Sequence, residues 1–171
     1  MNTKIEKISK IPTEIVLNKV SHTLYIIDEK QKNFPFQAVL KNKLKRIGKK
    51  INDLKKAPVI TELKDGGIIC WVMASESLNL FQCHTILRKS LAHLIEEKPT
   101  SISIVCHLEK NLMKLWGEAA VYVALLNTSN LPSYKKDHKI NPLKDIKLYG
   151  ISLPADLKTI SASVKGNNLT R

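Results

Sequence analysis

Residues 57–74 read APVITELKDGGIICWVMA, and the way this stretch folds decides the architecture. Two runs rich in β-branched and aromatic residues flank Asp65-Gly66-Gly67. That tripeptide supplies the positive φ angles a tight turn needs, so the stretch predicts a β-hairpin. The second arm, Ile68 to Ala74, carries no polar face. A strand with apolar side chains on both sides belongs in a sheet interior covered twice, so layers are expected above and below it.

The segments on either side supply those layers. Upstream, "TEIVLNKV" (13–20) and "TLYIIDE" (23–29) read as two early strands, or as one with a bend. Between them and the hairpin, Phe36, Val39, Leu40, Leu44, Ile47, Ile51 and Leu54 recur in steps of three and four, the stripe of an amphipathic helix. Pro35 suits its first turn, and Gly48 weakens the helix or marks its end. Downstream, Ser77 is placed to cap a helix whose inner face comprises Leu80, His84, Leu87, Leu91, Leu94 and Ile95. Pro99 stops that helix. "SISIVCHL" (101–108) reads as a buried strand. A further helix carries Leu112, Leu115, Trp116, Ala119, Val123 and Leu126 inward, and its small residues Gly117, Ala119 and Ala120 let it lie close on a sheet. A basic loop then leads to the strand "DIKLYGI" (145–151) and a polar, modestly helical tail. The order implies an α/β fold: a three-layer arrangement of one mixed sheet with helices on both faces. There is no internal repeat.

At 171 residues and 43% apolar content the chain can bury one sizeable core. No apolar run approaches the roughly 18–20 residues of a membrane span, and the lysine-bearing N-terminus lacks the apolar stretch of a secretory signal. The expectation is a cytoplasmic protein with no membrane contact. Cys70, Cys83 and Cys106 are odd in number and set among apolar neighbours without CxxC spacing, which predicts buried free thiols. The formal charge of +13 invites a polyanion. The excess is almost all lysine, since arginine stands only at 46, 88 and 171, and arginine is the better reader of phosphate and base edges. The candidate polyanion-binding positions are Lys41, Lys43, Lys45, Arg46, Lys49 and Lys50 on the basic helix and Lys135, Lys136 and Lys139 in the basic loop. Aromatic content of 5% argues against a stacking platform for single strands.

No arrangement of residues types an active site. Cys106 and His107 are neighbours on a strand and point to opposite faces. Cys83 and His84 diverge by roughly 100° on a helix. His84 falls on an apolar stripe and reads as a core or partly buried histidine. His93, Glu96 and Glu97 form one charged turn, whereas a di-metal helical site needs such pairs from two or more helices. Asp28-Glu29 closes a strand and reads as a solvent-facing carboxylate pair. The six glycines form neither GxGxxG nor GxxxxGK[ST], and GxSxG is absent. No catalytic residue, metal ligand or cofactor is assigned to this chain.

The stretch "AAVYVALLNTSNLPSYKKDHKINPLKDIKLYG" (119–150) resembles the end of the N-terminal domain of the leucyl aminopeptidase (cytosol aminopeptidase) family. There an Ala-rich helix leads to a Tyr-Lys segment, then Pro-Leu, then an apolar strand ending in Gly. The matching positions are Ala119 and Ala120, Tyr134-Lys135, Pro142-Leu143 and Ile146 to Gly150. "PVITELKDGGIICWVMA" (58–74) and "FQCHTILRKSLAHLIEEKPTSISI" (81–104) look like the hairpin, helix and strand of shorter bacterial members. "NNLTR" (167–171) looks like the start of the helix leading to the catalytic domain. The family's signature Asn-Thr-Asp-Ala-Glu-Gly-Arg-Leu belongs to that catalytic half and does not occur here.

The resemblance implies a non-catalytic, accessory domain of a di-metal exopeptidase that removes N-terminal residues from peptides. In the whole enzyme two divalent cations, zinc or manganese, activate a water and polarise the scissile carbonyl. The parent is typically a homohexamer, some members bind DNA, and the N-terminal domain is macro-domain-like. On this reading residues 1–152 form the domain, and 153–171 are a linker and the start of a helix toward an absent C-terminal catalytic domain. The chain would be a fragment with a loose or rearranged tail.

Overall fold

All seven residues of the hairpin's second arm are buried, as its two-sided apolar pattern requires. The computed structural model of the chain describes residues 3–127, 143–151 and 157–169. The described strands are β1 (Lys4–Ile8), β2 (His22–Asp28), β3 (Val59–Glu62), β4 (Ile68–Ala74), β5 (Ser101–His107) and β6 (Asp145–Tyr149). They form one sheet in the order β1-β6-β5-β2-β4-β3. Every neighbouring pair is parallel except β3 and β4, which form the hairpin.

Helices cover both faces. On one, α1 (Glu14–Leu17), α2 (Gln37–Arg46) and a 3₁₀ turn (Ile51–Lys55) bury Leu17, Leu40, Leu44 and Leu54 against Tyr25, Ile27, Trp71 and Met73. Tyr25 stacks on Trp71 at a centroid separation of 4.9 Å, and Phe34 tilts against both rings. On the other face lie α3 (Leu80–Ile95), α4 (Lys110–Leu112), a π turn (Met113–Gly117), α5 (Glu118–Leu126) and α6 (Leu157–Leu169). They cover Leu24, Ile26, Cys70, Val72, Ile104 and Leu148. The mixed sheet with helices on both faces is therefore present.

Local chemistry explains the boundaries. Gly48 ends α2: its amide reaches Lys45 O at 3.2 Å, and Lys49 N reaches Leu44 O at 2.9 Å, the paired bonds of a Schellman stop. In the hairpin turn only Gly66 takes positive φ, at +82°. Gly67 is required for space instead, because a Cβ there would stand 2.9 Å from Val20 O. Gly150 is required on both counts. Its φ is +67°, and a Cβ would meet Cys106 O at 2.6 Å and Ile11 Cδ1 closer still.

Several sequence expectations are corrected. Residues 13–20 do not form a strand: Val16 N and Leu17 N both bond to Thr13 O, closing the short α1. Its β-branched residues favour a strand, but Ile15 is 72% exposed and only Leu17 is fully buried. β1 lies earlier, in a charge-rich stretch that gains strand structure only by pairing with β6. The cap of α3 is Asn79, not Ser77. Asn79 Oδ1 accepts from Gln82 N, and Gln82 Oε1 accepts from Asn79 N, both at 2.9 Å. The inner stripe of α3 is consequently Cys83, Ile86, Leu87, Ser90, Leu91 and Leu94, while Leu80 is largely exposed. The tail, read as modestly helical and as loose or rearranged, contains α6, which buries Ile160 and Val164.

Candidate functional site at the carboxyl ends of the parallel strands

In an open sheet with parallel strands, ligands favour the crevice where neighbouring strands send their connections to opposite faces. β2 continues into α2 on one face, and its neighbour β5 continues into α4 on the other. That switch point brings together Asp28, Glu29 and Lys30 with His107, Leu108 and Glu109.

Asp28 occupies its centre. The sequence reading made it a solvent-facing carboxylate, yet it is only 2% exposed. Its Oδ1 accepts from Lys30 N at 2.9 Å and its Oδ2 from Glu109 N at 3.4 Å. The carboxylate thus ties together the two loops that leave β2 and β5. At such a position backbone N–H groups are the natural donors to a bound anion. Here an internal carboxylate takes two of them, so the switch point carries its own anion. Above it, Lys30 Nζ and Glu109 Oε2 form an ion pair at 3.1 Å with both side chains more than half exposed. The hydrogen bond to Glu109, aided by its charge, raises the Lys30 pKa.

His107 stands beside this tie. Its Nδ1 is buried without a protein partner among the described residues. Burial lowers its pKa, with the Asp28 charge acting in the opposite direction. Cys106 sits on the opposite side of the sheet in the helical core, where burial pushes its thiol far up. The two do not form a nucleophile–base pair, as strand geometry requires. Cys70 and Cys83 are likewise buried free thiols.

The remaining sequence candidates fall elsewhere. Lys41 and Lys45 lie exposed on the outer side of α2, and Lys49 and Lys50 follow its end. Lys43 and Arg46 instead line a cleft of about 740 Å³ between α2 and the hairpin. The helix therefore divides the six basic positions between two directions. Lys135, Lys136 and Lys139 lie outside the described residues. His84 is stacked on Tyr122 at 5.2 Å, and burial, then the Arg88 charge, lowers its pKa. It borders a hollow of about 480 Å³ between α3, the π turn and α6. His93, Glu96 and Glu97 are exposed. Glu97 reaches the buried His22 Nε2 at 3.1 Å, a link that sequence spacing did not reveal. Among the described residues no three His, Cys, Asp or Glu side chains converge as metal ligands, so they offer no set fitting a pair of cations. No helix among them is long and apolar enough to cross a membrane.

Sequence could have flagged Asp28 by one signal. It is the one carboxylate in the run "LYIID", whose other residues are apolar. What reverses its reading is the arrival of the Glu109 amide from a loop far along the chain.

No family model matches the chain, and no curated protein does. Solved structures do. A tomato leucine aminopeptidase mutant superimposes on 98% of this chain with a TM-score of 0.59 at 12% identity. An apo leucyl aminopeptidase from Trypanosoma cruzi covers the same 98% with a TM-score of 0.52, also at 12% identity. In each case the chain spans 36% of the length of the other protein. At this identity the likeness is one of fold: the chain has the fold of a portion of leucine aminopeptidases.

Proposed function

We propose that this chain is the non-catalytic N-terminal domain of a leucyl aminopeptidase-type enzyme, acting as an accessory element that supports the oligomer or regulates the catalytic part. The observation that carries the reading is the superposition of nearly the whole chain on about a third of a leucine aminopeptidase. The switch point fits it as well, since Asp28 holds the backbone donors that a nucleotide phosphate would need. In this reading the working partner is a C-terminal catalytic domain holding two zinc or manganese ions, the assembly is a homohexamer, and the compartment is the cytoplasm.

The test is direct. The purified chain is incubated with leucine p-nitroanilide and added manganese or zinc. No release above the metal-only blank is expected. Metal-dependent release that tracks the protein through purification refutes the reading.

A second reading, polyanion or DNA binding, is favoured by one observation. Lys41, Lys45, Lys49 and Lys50 are exposed together, and none takes part in an ion pair among the described residues. It predicts affinity for duplex DNA that falls steeply with log salt. Absence of a low-salt gel shift at micromolar protein removes it.

A further inference from the structure

The cleft between α2 and the hairpin combines an open strand edge with opposed charges. Among the described residues β3 is the last strand of the sheet. In an antiparallel ladder, directly opposed residues alternate between hydrogen-bonded and non-bonded pairs. Leu63 N bonds to Gly67 O at 2.7 Å, which fixes that alternation, and Ile68 N turns away to Ser21 O of the β2 side. With Glu62 opposite Ile68 and Ile60 opposite Cys70, the N–H and C=O groups of Ile60 and Glu62 point away from β4. No other backbone or side chain among the described residues bonds to them.

The cleft meets this edge at its turn end. Thr61 and Glu62 of β3 line it, and residues 63–65 continue it along the turn. Adjacent strand residues point to opposite faces, so a hollow lined by both Thr61 and Glu62 reaches the backbone edge between them. The floor is apolar, with Phe36, Val39 and Leu63. Phe36 is held at φ +58°, a left-handed conformation rare for a bulky residue, by a 2.7 Å bond from its amide to Glu14 Oε1. Strain of this kind concentrates at functional sites. The α2 wall offers Lys43 and Arg46, the hairpin wall offers Glu62, Lys64 and Asp65, and Glu14 of α1 adds a third carboxylate, so the lining is charge-balanced. The ion pairs among the described residues lie elsewhere.

We infer that this cleft binds a short, extended peptide as an added strand on β3, with its carboxylate toward Lys43 and Arg46 and its ammonium toward Glu62 and Asp65. The main-chain groups of Ile60 and Glu62 supply the register, and an apolar side chain of the peptide enters the Phe36–Val39–Leu63 floor. Pro58 immediately before β3 and the charged turn after it confine pairing to a four-residue edge. That suits a short peptide rather than the sheet of a second protein. Glu14, Glu62 and Asp65 balance Lys43, Arg46 and Lys64 in the lining, which favours a zwitterionic peptide over a nucleic-acid backbone. The inference is independent of the aminopeptidase reading.

The experiment is amide chemical-shift mapping of the 171-residue chain with three probes: unblocked Ala-Leu-Val-Ala, its N-acetylated and C-amidated form, and a single-stranded DNA oligomer. The unblocked peptide is expected to shift the amides of Ile60, Glu62 and Leu63, and to bind roughly tenfold more tightly than the capped form. A Lys43→Glu, Arg46→Glu double variant loses a similar factor or more, and Lys43→Gln, Arg46→Gln falls between. Both changes are on the helix surface, and spectral dispersion reports that the fold is kept. The inference is overturned by no shift at millimolar peptide, by shifts confined to another surface, by equal affinity of capped and unblocked forms, or by a response to DNA alone.

Discussion

Replacing Asp28 probes the switch point most directly. Asp28→Ala removes the acceptor for two backbone amides in a site that is 2% exposed. The 2.9 Å bond from Lys30 N is of full strength, and a hydrogen bond to a charged acceptor contributes about 1.5–3 kcal/mol. The 3.4 Å bond from Glu109 N is long and contributes about 1 kcal/mol or less. The expected loss is about 2–4 kcal/mol. With a urea m-value near 2 kcal/mol/M, that lowers the unfolding midpoint by about 1–2 M. Asp28→Asn keeps one oxygen but turns an NH₂ toward the second amide, so its midpoint should fall between those of wild type and Asp28→Ala. Lys30→Ala, which removes only the solvent-exposed ion pair above, should leave the midpoint close to wild type. Urea unfolding followed by tryptophan fluorescence suits the assay, because Trp71 and Trp116 are both fully buried. An Asp28→Ala midpoint within about 0.3 M of wild type, or an Asn variant weaker than the Ala variant, would show that the carboxylate does not hold the two loops together.

Two further outcomes follow from geometry. Gly150→Ala combines a left-handed φ with a Cβ pressed on Cys106 O and Ile11, and should cost about 2–4 kcal/mol. Gly166→Ala, within α6 and with nothing within 4 Å, should be neutral or gain up to about 1 kcal/mol in the same urea assay. Burial pushes the Cys70 thiol up to about 12 and that of Cys83 up to about 11 from an ordinary 9.0. A folded pKa raised above the unfolded value gives stability that is complete below pH 9 and lost as pH rises toward 11–12. Unfolding midpoints at pH 7, 8.5 and 10 check the sign, and a thiol reagent at pH 8 should react slowly with native protein and fully in denaturant.

Much of this was legible locally. The doubly apolar pattern of Ile68 to Ala74, the turn at Asp65-Gly66-Gly67 and the helical stripes are periodic signals. Periodicity states which faces of an element want to leave water, whatever lies around it. Those signals fixed a sheet covered on both sides, the hairpin and the burial of all three cysteines. The polarity of each face is also why Cys106 and His107 could be separated from sequence alone.

What lay outside that reach depends on neighbours remote in the chain. β1 is a strand because Lys4 to Ile8 pair with Asp145 to Tyr149, and a charge-rich edge gives little local sign of it. α1 is a helix because the β-branched residues before β2 find no strand to pair with. Asp28 is buried because β2 and β5 are neighbours and the loop after β5 delivers an amide to it. The division of the basic helix, with Lys43 and Arg46 on the cleft and Lys41 and Lys45 outside, awaited the docking of α2 against the hairpin. A sequence states the character of each face; only the packed chain decides which distant groups meet there, because strand order and register are set by the sum of contacts over the whole sheet.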